Sequence, residues 1–249
     1  MVALWGRGHV ARDLDARKEL IMQQHVEDEV RDDGFLPPEE ETMPESMVHA
    51  ELIEYLVAVL KWLFWGQTCT VCRNLAFLAP PQRGGLVVAP DIALVRSIPR
   101  KPVSSWRIGR TGPAPRLVFE ILSEETWKKD VEEKPPVYAQ LGVHEYFTYD
   151  PNLTPLAGPT APRLSGWRLD PDSESMVALT LQPDRSLWSQ ELESFLVPDE
   201  QVLRLVDKQG RTRLTRAEAE AAARLAEARR AAAMAEMLRS MGIDPDQFL

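Results

Sequence analysis

The chain has 249 residues, of which 44% are hydrophobic and 27% charged, and this composition is typical of a globular protein. Its length predicts one core domain of roughly 150–200 residues with shorter appendages. The net charge of −9 at pH 7 excludes non-specific polyanion binding by the whole surface, so a nucleic-acid partner would require positive charge gathered in one place.

The first 44 residues are polar and rich in acids, with the segments VEDEVRDDG and PPEEET, and they predict an irregular arm. They lack the sustained apolar run of a signal peptide. The longest apolar stretch, LIEYLVAVLKWLFWG, is too short to span a bilayer and is interrupted by Glu54 and Lys61. We therefore expect a soluble protein with no membrane partner. Because two cysteines give no disulfide framework, we expect it in the cytoplasm.

A helix is predicted after the arm, because apolar residues recur at helical spacing on one face while charged residues share the other. Ser46 is suited to cap its N-terminus, and His49 follows three residues later. The apolar positions are Leu52, Leu56, Val59, Leu60 and Leu63.

Three strand candidates follow, at Thr68–Leu78, Leu86–Arg96 and Arg116–Ser123. The run EETWKKDVEEKPPVYAQLG then indicates a helix in two pieces, because its prolines can begin the second piece but cannot lie inside a helix. HEYFTYDP predicts a fourth strand. The order α-β-β-β-α-β predicts an α/β fold in which helices flank a mixed sheet.

The rest of the chain predicts appendages to this core. Residues 152–212 combine turn-rich segments with short strand candidates and predict hairpins. Residues 213–249 predict a long amphipathic helix that pairs as a coiled coil with a second copy or docks on its own core. Its apolar positions are Leu214, Ala221, Leu225, Ala228, Ala232, Ala235 and Leu238. We therefore expect three regions: an arm over 1–44, a core domain over 45–212 and a helix over 213–249.

Two carboxylates occur inside apolar strand candidates, Asp91 in VVAPDIALV and Glu120 in RLVFEILS. A buried ionised carboxylate is costly unless it is paired, hydrogen-bonded or bound to a cation. The two acids therefore suggest a site for a hard metal ion such as Mg²⁺, which prefers oxygen ligands. The alternative is that each acid lies at a strand end and is solvated or salt-bridged. Lys134, four residues after Asp130, is the candidate cation beside them, unless it is a solvent-facing lysine of an EEK run.

Six cationic side chains are gathered between residues 96 and 116, a stretch with no acidic residue. They are Arg96, Arg100, Lys101, Arg107, Arg110 and Arg116. The loop would place phosphate-binding charge beside the strands of the two acids, and Trp106 within it would stack on a base. The alternative is a mobile loop whose arginines pair with the acidic arm.

Other chemistries find little support in the sequence. It contains neither a GxxxxGK[ST] phosphate loop nor a GxSxG nucleophile elbow. Its four histidines lack the spacing of zinc ligands. Cys69 and Cys72 lie three residues apart in a strand candidate, so their side chains point to opposite faces and favour packing over metal binding.

The succession APD, PRLVFEILS, D-x3-K and Y-x3-GVHEYFTYDP resembles the Uma2 family, bacterial proteins classed as restriction endonucleases with the PD-(D/E)xK nuclease fold. The resemblance runs from about His49 to the C-terminus and includes Asn74 in the first strand candidate. Each element is weak by itself, but the ordered set is specific. The resemblance implies a restriction-endonuclease-like core.

Carried over by position, the resemblance makes Asp91 and Glu120 ligands of Mg²⁺ or Mn²⁺. Leu122 stands where this superfamily often has lysine, and Lys134 matches a lysine moved to the next helix. Asp130 would orient Lys134, and His49 matches a helix-borne histidine. One departure is the pair Pro135-Pro136, which follows Lys134 directly and would place it on a kink or helix start.

The resemblance implies a metal-dependent endonuclease that acts on DNA, and the pattern of the C-terminal helix adds the expectation of a homodimer formed through it. Asp91 and Glu120 would hold the metal ion and Lys134 would assist the attacking water. Two alternatives remain open at this point. One is a catalytically inactive nuclease fold that binds DNA or assembles with a protein partner, and the other is cleavage of RNA.

Overall fold

The computed structural model describes residues 46–98, 102–242 and 244. The predicted arm over 1–44 lies outside the described residues, as do Arg100 and Lys101. Three α-helices occur within the described residues: α1 (Met47–Leu63), α2 (Lys134–Leu141) and α3 (Arg216–Ser240).

The described strands form three sheets. In chain order they are β1 (Cys69–Arg73), β2 (Ala76–Leu78), β3 (Val87–Val88), β4 (Ile92–Arg96), β5 (Ser105–Arg107), β6 (Leu117–Ile121), β7 (Glu145–Tyr149), β8 (Leu164–Asp170), β9 (Ser175–Ala178), β10 (Leu187–Ser189), β11 (Ser194–Asp199) and β12 (Val202–Val206). The central sheet has the order β1-β4-β6-β7-β8-β9, and the small sheets have the orders β3-β2-β5 and β10-β11-β12.

The central sheet is mixed, because β6 and β7 are parallel while its other neighbours are antiparallel. A parallel pair needs a crossover connection, and α2 supplies it between β6 and β7. Helix α1, strands β1, β4 and β6, helix α2 and strand β7 follow one another around this sheet. The predicted α-β-β-β-α-β order of an α/β fold is therefore confirmed.

The two faces of the central sheet bury separate cores, because side chains alternate along each strand. On β6, Leu117, Phe119 and Ile121 pack in the core that contains α1 and the β10-β11-β12 sheet. Val118 points to the opposite face, where α2 and the β3-β2-β5 sheet form the second core. Glu120 shares the face of Val118, and β6 therefore carries it towards α2.

Helix α1 begins where the sequence predicts, since the Ser46 hydroxyl accepts a hydrogen bond from the backbone N–H of His49 at 3.2 Å. Its predicted apolar stripe faces the first core. Leu52, Leu56, Val59 and Leu60 are buried there. Apolar burial of this kind contributes roughly 1.5–3 kcal/mol per large side chain.

Two predicted strands are each interrupted. Thr68–Leu78 is divided into β1 and β2 at Asn74, whose φ of 47° is left-handed and ends the ladder. Leu86–Arg96 is likewise divided into β3 and β4. Hydrophobic periodicity does not reveal such breaks, because the residues on either side remain apolar. Cys69 packs against the first core and Cys72 lies in the second, so their predicted placement on opposite faces is confirmed.

Helix α3 confirms a long C-terminal helix within the predicted region. The Thr215 hydroxyl accepts from Glu218 N–H, and the Glu218 carboxylate accepts from Thr215 N–H, which completes a capping box. None of its described residues is buried, and Leu225, Met234 and Met237 are more than half exposed. The helix is thus formed without the support of a buried face.

In the part of the chain that the structure describes, every helix is too short or too polar to cross a membrane.

Candidate active site

Asp91 and Glu120 lie side by side on neighbouring strands, and each binds the backbone next to the other. Asp91 directly precedes β4, and its Oδ2 accepts from Ile121 N–H at 2.7 Å. Glu120 lies within β6, and its Oε2 accepts from Asp91 N–H at 3.2 Å. The antiparallel pairing of Ile92 with Phe119 brings these segments together. Asp91 is therefore at a strand end and half-buried, whereas Glu120 is 4% exposed inside its strand.

His49 reaches the same place from the first turn of α1. Its Nε2–H donates to the Ile121 carbonyl at 2.8 Å and lies 3.6 Å from Asp91 Oδ2. The histidine thus connects α1 to the segment that carries both acids. Its distance from the Asp91 carboxylate allows the imidazole to hold that side chain in place.

Lys134 lies between two acids. Its Nζ is 2.8 Å from Glu120 Oε1 and 2.6 Å from Asp130 Oδ1, and 21% of its side chain is exposed. The buried carboxylate of Asp130 therefore holds the ammonium group against Glu120. Asp91, beside Glu120, is a third acidic side chain of this cluster, so the acidic groups outnumber the single ammonium group, which favours binding of a cation.

The prolines after Lys134 do not turn it away from the acids. Pro135 and Pro136 follow Lys134 in the first turn of α2, where a missing N–H is tolerated. The residues before them, Lys129–Glu133, form a π-helical turn in which Lys134 N–H donates to the Lys129 carbonyl. Such wide turns often occur at functional sites. The extra residue in the turn allows Lys134 to reach Glu120 from the start of the helix.

The protonation of Glu120 and Lys134 is shifted by their surroundings. Burial raises the pKa of Glu120 to about 7; Lys134 counteracts this rise, while Asp91 and Asp130 reinforce it. Burial alone would lower the pKa of Lys134, but the attraction of Glu120 and Asp130 raises it overall. Lys134 is therefore a permanent cation at neutral pH, and Glu120 is poised to lose its proton when another cation arrives.

Two tyrosines that the sequence analysis did not select complete the cluster. Tyr138 donates its hydroxyl to Glu120 Oε1 at 2.6 Å, and Tyr146 donates to the Asp130 carbonyl at 2.7 Å. Burial raises the pKa of both hydroxyls, so they remain neutral donors. Tyr138 lies four residues after Lys134 on one helix, so both side chains lie on the same face. This spacing could have indicated Tyr138 from the sequence.

The predicted DNA-binding cations are only partly described, and Arg96 among them pairs with an acid inside the protein. Arg96 is at the end of β4 remote from Asp91, where its guanidinium contacts Glu191 and lies over the Phe64 ring. Arg116 also pairs with Glu191, at 2.7 Å. Arg107 is half-buried in β5, and Arg110 is exposed in the turn that follows. Arg96 therefore has an internal structural partner, which a charge pattern cannot reveal.

Trp106 is not available to stack on a base. It is fully buried in the second core, its ring lies 5.9 Å from that of Phe77, and its indole N–H donates to the Pro113 carbonyl at 3.0 Å. This expectation was wrong, because the loop folds back over its own tryptophan.

A comparison with protein families identifies the family of this chain. A family model described as "Uma2: Putative restriction endonuclease" matches residues 39–196, more than half of the chain. The chain belongs to the Uma2 family. Its match contains Asp91, Glu120 and Lys134, together with α1, α2 and strands β1 to β7. The resemblance stated from the sequence motifs is thus confirmed, and the protein is a member of a nuclease family.

Comparisons with solved structures and with curated proteins are less informative than the family model. A structure from Anabaena variabilis ATCC 29413, described as a putative nuclease belonging to DUF820, is similar with a TM-score of 0.44 and 17% identity, over 60% of this chain and 75% of that chain. None of the curated proteins matches. The Uma2 assignment rests on the family model.

A divalent metal ion is implied by a restriction-endonuclease family, and the oxygen donors of this site fit one. Within the described ranges, no group of three or more His, Cys, Asp and Glu side chains could hold a metal ion. Mg²⁺ commonly uses one or two carboxylates and fills its remaining positions with water and substrate phosphate. Asp91 and Glu120 supply two such carboxylates, and they suit this mode of binding better than a closed protein cage.

Proposed function

We propose that this Uma2 protein is a divalent-metal-dependent endonuclease that hydrolyses DNA phosphodiester bonds. The observation that carries the proposal is the convergence of Asp91, Glu120 and Lys134, three residues from separate elements, at one end of the central sheet. Two acids and one cation in a partly buried site suit phosphoryl chemistry, which is catalysed by positioning and by charge stabilisation.

Asp91 and Glu120 would hold Mg²⁺ or Mn²⁺. When bound, the ion lowers the pKa of a coordinated water and neutralises charge on the phosphate. The backbone N–H groups of Ile121 and Asp91 orient the two carboxylates before any ion arrives. Ionisation of Glu120 accompanies binding, because a ligand carboxylate must be deprotonated.

Lys134 would act as a positioned cation. Its raised pKa keeps it protonated, so it donates hydrogen bonds to the attacking water or to a phosphate oxygen and does not serve as a general base. Asp130 fixes its ammonium group, and His49 fixes the segment that carries Asp91. Both are supporting residues in this mechanism.

The DNA contacts and the assembly belong to the same proposal. Arg107 and Arg110, with Arg100 and Lys101 beyond the described residues, remain candidates for phosphate contacts, and Arg96 is a weaker one since it pairs with Glu191. A homodimer through α3 would supply two sites for two strands. The exposure of Leu225, Met234 and Met237 on α3 supports it.

The test combines metal binding with cleavage. Calorimetry with Mn²⁺ and nicking of supercoiled plasmid are measured for the wild type, Asp91→Asn and Glu120→Gln. We expect saturable binding and nicking in the wild type, and a loss of about 100-fold or more in nicking in both variants. Asp184→Asn, which changes an exposed turn acid bonded to Ser186, is the matched control and is expected to keep both properties.

Two results would overturn the proposal. Undiminished nicking by Asp91→Asn would show that another site is responsible. Absence of metal binding and nicking in the wild type would favour the non-catalytic alternative, in which DNA retention without cleavage is the expected finding. Cleavage of RNA in preference to DNA in the same assay would change the substrate while leaving the site in place.

A further inference from the structure

We propose that Tyr138 and Tyr146 are positioning residues of the candidate site, with Tyr138 fixing the Glu120 carboxylate and Tyr146 fixing the turn that carries Lys134. The inference rests on the proposed function, because it assigns both tyrosines to the same reaction.

Tyr138 restricts Glu120 to one orientation. The ring is fully buried, and its hydroxyl donates to Glu120 Oε1, the oxygen that also accepts from Lys134 at 2.8 Å. Oε2 accepts from Asp91 N–H on the other side. Rotation of the carboxylate would break at least one of these bonds. Without the tyrosine hydroxyl, Oε1 would depend on the flexible lysine alone.

Tyr146 supports Lys134 through the backbone. In a regular α-helix the Asp130 carbonyl would accept from Lys134 N–H, but here that N–H donates to Lys129. The next two residues, Pro135 and Pro136, have no N–H to offer. The Tyr146 hydroxyl therefore satisfies the Asp130 carbonyl, at 2.7 Å. A buried carbonyl without a partner is costly, so this bond stabilises the π-helical turn.

The two tyrosines form one aromatic unit. Their ring centroids are 4.6 Å apart, and the Tyr146 ring stacks on Trp167 at 5.2 Å. Tyr138 lies on α2, the helix that Lys134 begins, and Tyr146 lies on β7, the neighbour of β6. The two rings therefore connect this helix to the central sheet. The packing of the rings thus fixes the positions of the two hydroxyl groups at the site.

The chain provides a matched control on the same strand. Tyr149 is also fully buried, and its one hydroxyl hydrogen is shared between two backbone carbonyls, those of Glu200 and Val202, at 2.9 and 3.0 Å. It packs in the opposite core from Tyr146. Tyr149→Phe therefore removes a buried hydroxyl without altering the site.

The test compares Tyr138→Phe, Tyr146→Phe and Tyr149→Phe in the full chain by thermal unfolding, Mn²⁺ calorimetry and nicking kinetics. Tyr138→Phe is expected to weaken Mn²⁺ binding about 10-fold and to lower kcat with an unchanged KM for DNA. Tyr146→Phe is expected to lower kcat by a similar factor. Tyr149→Phe is expected to keep wild-type kinetics and metal affinity.

A readout independent of activity is the rate of Lys134 acetylation by acetic anhydride, followed by mass spectrometry. Lys134 is protected by Glu120 and Asp130 in the wild type, and Tyr146→Phe is expected to raise its rate several-fold, whereas Tyr149→Phe leaves it unchanged. If the wild type neither binds Mn²⁺ nor nicks DNA, the proposed function fails, while this rate still tests the role of Tyr146. The positioning role is overturned if both site variants match Tyr149→Phe in every measurement, or if all three lose activity in proportion to lost stability.

Discussion

Lys134 shows how strongly one charge can determine the state of a site. Its Nζ is within 2.8 Å of both Glu120 and Asp130, and both acids are almost completely buried. Removing one partner of a buried ion pair leaves an uncompensated charge and costs about 3–5 kcal/mol. The residue is therefore expected to matter for the metal-free fold as well as for catalysis.

For Lys134→Met we expect lower stability without metal, a larger rise in melting temperature on adding Mn²⁺ than in the wild type, and nicking reduced about 100-fold or more. A bound cation would replace part of the missing positive charge. Calorimetric melting with and without Mn²⁺ measures this. Lys61→Met, at an exposed position of α1, is the control. Equal Mn²⁺ effects in Lys134→Met and the wild type would contradict the expectation.

The raised pKa of Glu120 gives a second expectation at this scale. Because the metal ion needs the ionised carboxylate and the pKa is about 7, the affinity for Mn²⁺ is expected to fall roughly 10-fold from pH 8 to pH 6. Calorimetry across this range measures it, with Asp184→Asn as the control that keeps the titrating group of the site. An affinity that does not change between pH 6 and 8 would contradict either the raised pKa of Glu120 or its role as a ligand.

The same shift determines a pH dependence of stability in metal-free protein. The folded pKa of Glu120 is raised above the unfolded value of 4.5, so the folded state binds the proton more tightly. Its contribution to stability is complete below that unfolded value and is lost as the pH rises through about 7. Relative to Glu120→Gln, the wild type is therefore expected to lose stability between pH 5 and pH 8 in chemical unfolding experiments. A constant difference across that range would argue against the shift.

At the scale of single residues, the sequence predicted that Asp91 and Glu120 lie together, but it did not reveal the partner of Arg96. Asp91 and Glu120 were recognisable because a carboxylate in an apolar run demands a partner. Lys134 and Asp130 followed from their spacing and from the family motifs. Arg96 was assigned to DNA because a charge pattern does not show that Glu191, 95 residues later, is its partner.

At the scale of elements, the conformation around the Lys-Pro-Pro sequence at the start of α2 could not be predicted from hydrophobic periodicity. The prolines suggested a kink that would turn Lys134 away from the acids, whereas a π-helical turn at Lys129–Glu133 precedes them and Lys134 contacts Glu120. The break between β1 and β2 at Asn74 was not predicted either, because a left-handed φ does not alter the hydrophobic pattern of the sequence. The order of strands and helices was predictable because each has its own apolar pattern and length.

Replacing Pro135 tests this turn. Pro135→Ala restores an N–H that can donate to the Val131 carbonyl and favours a regular α-helix, which would move Lys134 relative to Glu120. We expect unchanged or greater stability with nicking reduced about 10-fold or more. Plasmid nicking and thermal melting measure the two effects, and Pro80→Ala, in the turn before Pro81–Arg83, is the control. Wild-type activity in Pro135→Ala would show that the turn is not needed to position the lysine.

At the scale of the whole molecule, α3 contacts the core through its first turn, where Arg216 lies over the Trp65 ring and Glu218 lies 3.8 Å from Arg204. None of its described residues is buried, although a capping box begins it. Further along the helix, the apolar side chains of Leu225, Met234 and Met237 are exposed, and the proposed homodimer would cover them. The predicted homodimer therefore has a definite structural test.

Truncation after Arg213 is expected to leave the core folded, with a melting temperature within about 4 °C of the full chain, and to convert a dimer into a monomer. Sedimentation velocity measures the assembly state. Thr215→Ala, which removes the cap and costs about 1 kcal/mol of helix stability, is expected to weaken the dimer partially. A full-length protein that sediments as a monomer at all concentrations would exclude association through α3.

Strand β6 carries the core on one face and the acid on the other, with Phe119 and Ile121 pointing one way and Glu120 the opposite way. A shift of its pairing by a single position would bring a carboxylate into the apolar layer and two large apolar groups against Lys134. A chain with this shifted register would therefore be destabilised. The packing of the interior and the placement of the acid therefore depend on the same strand register.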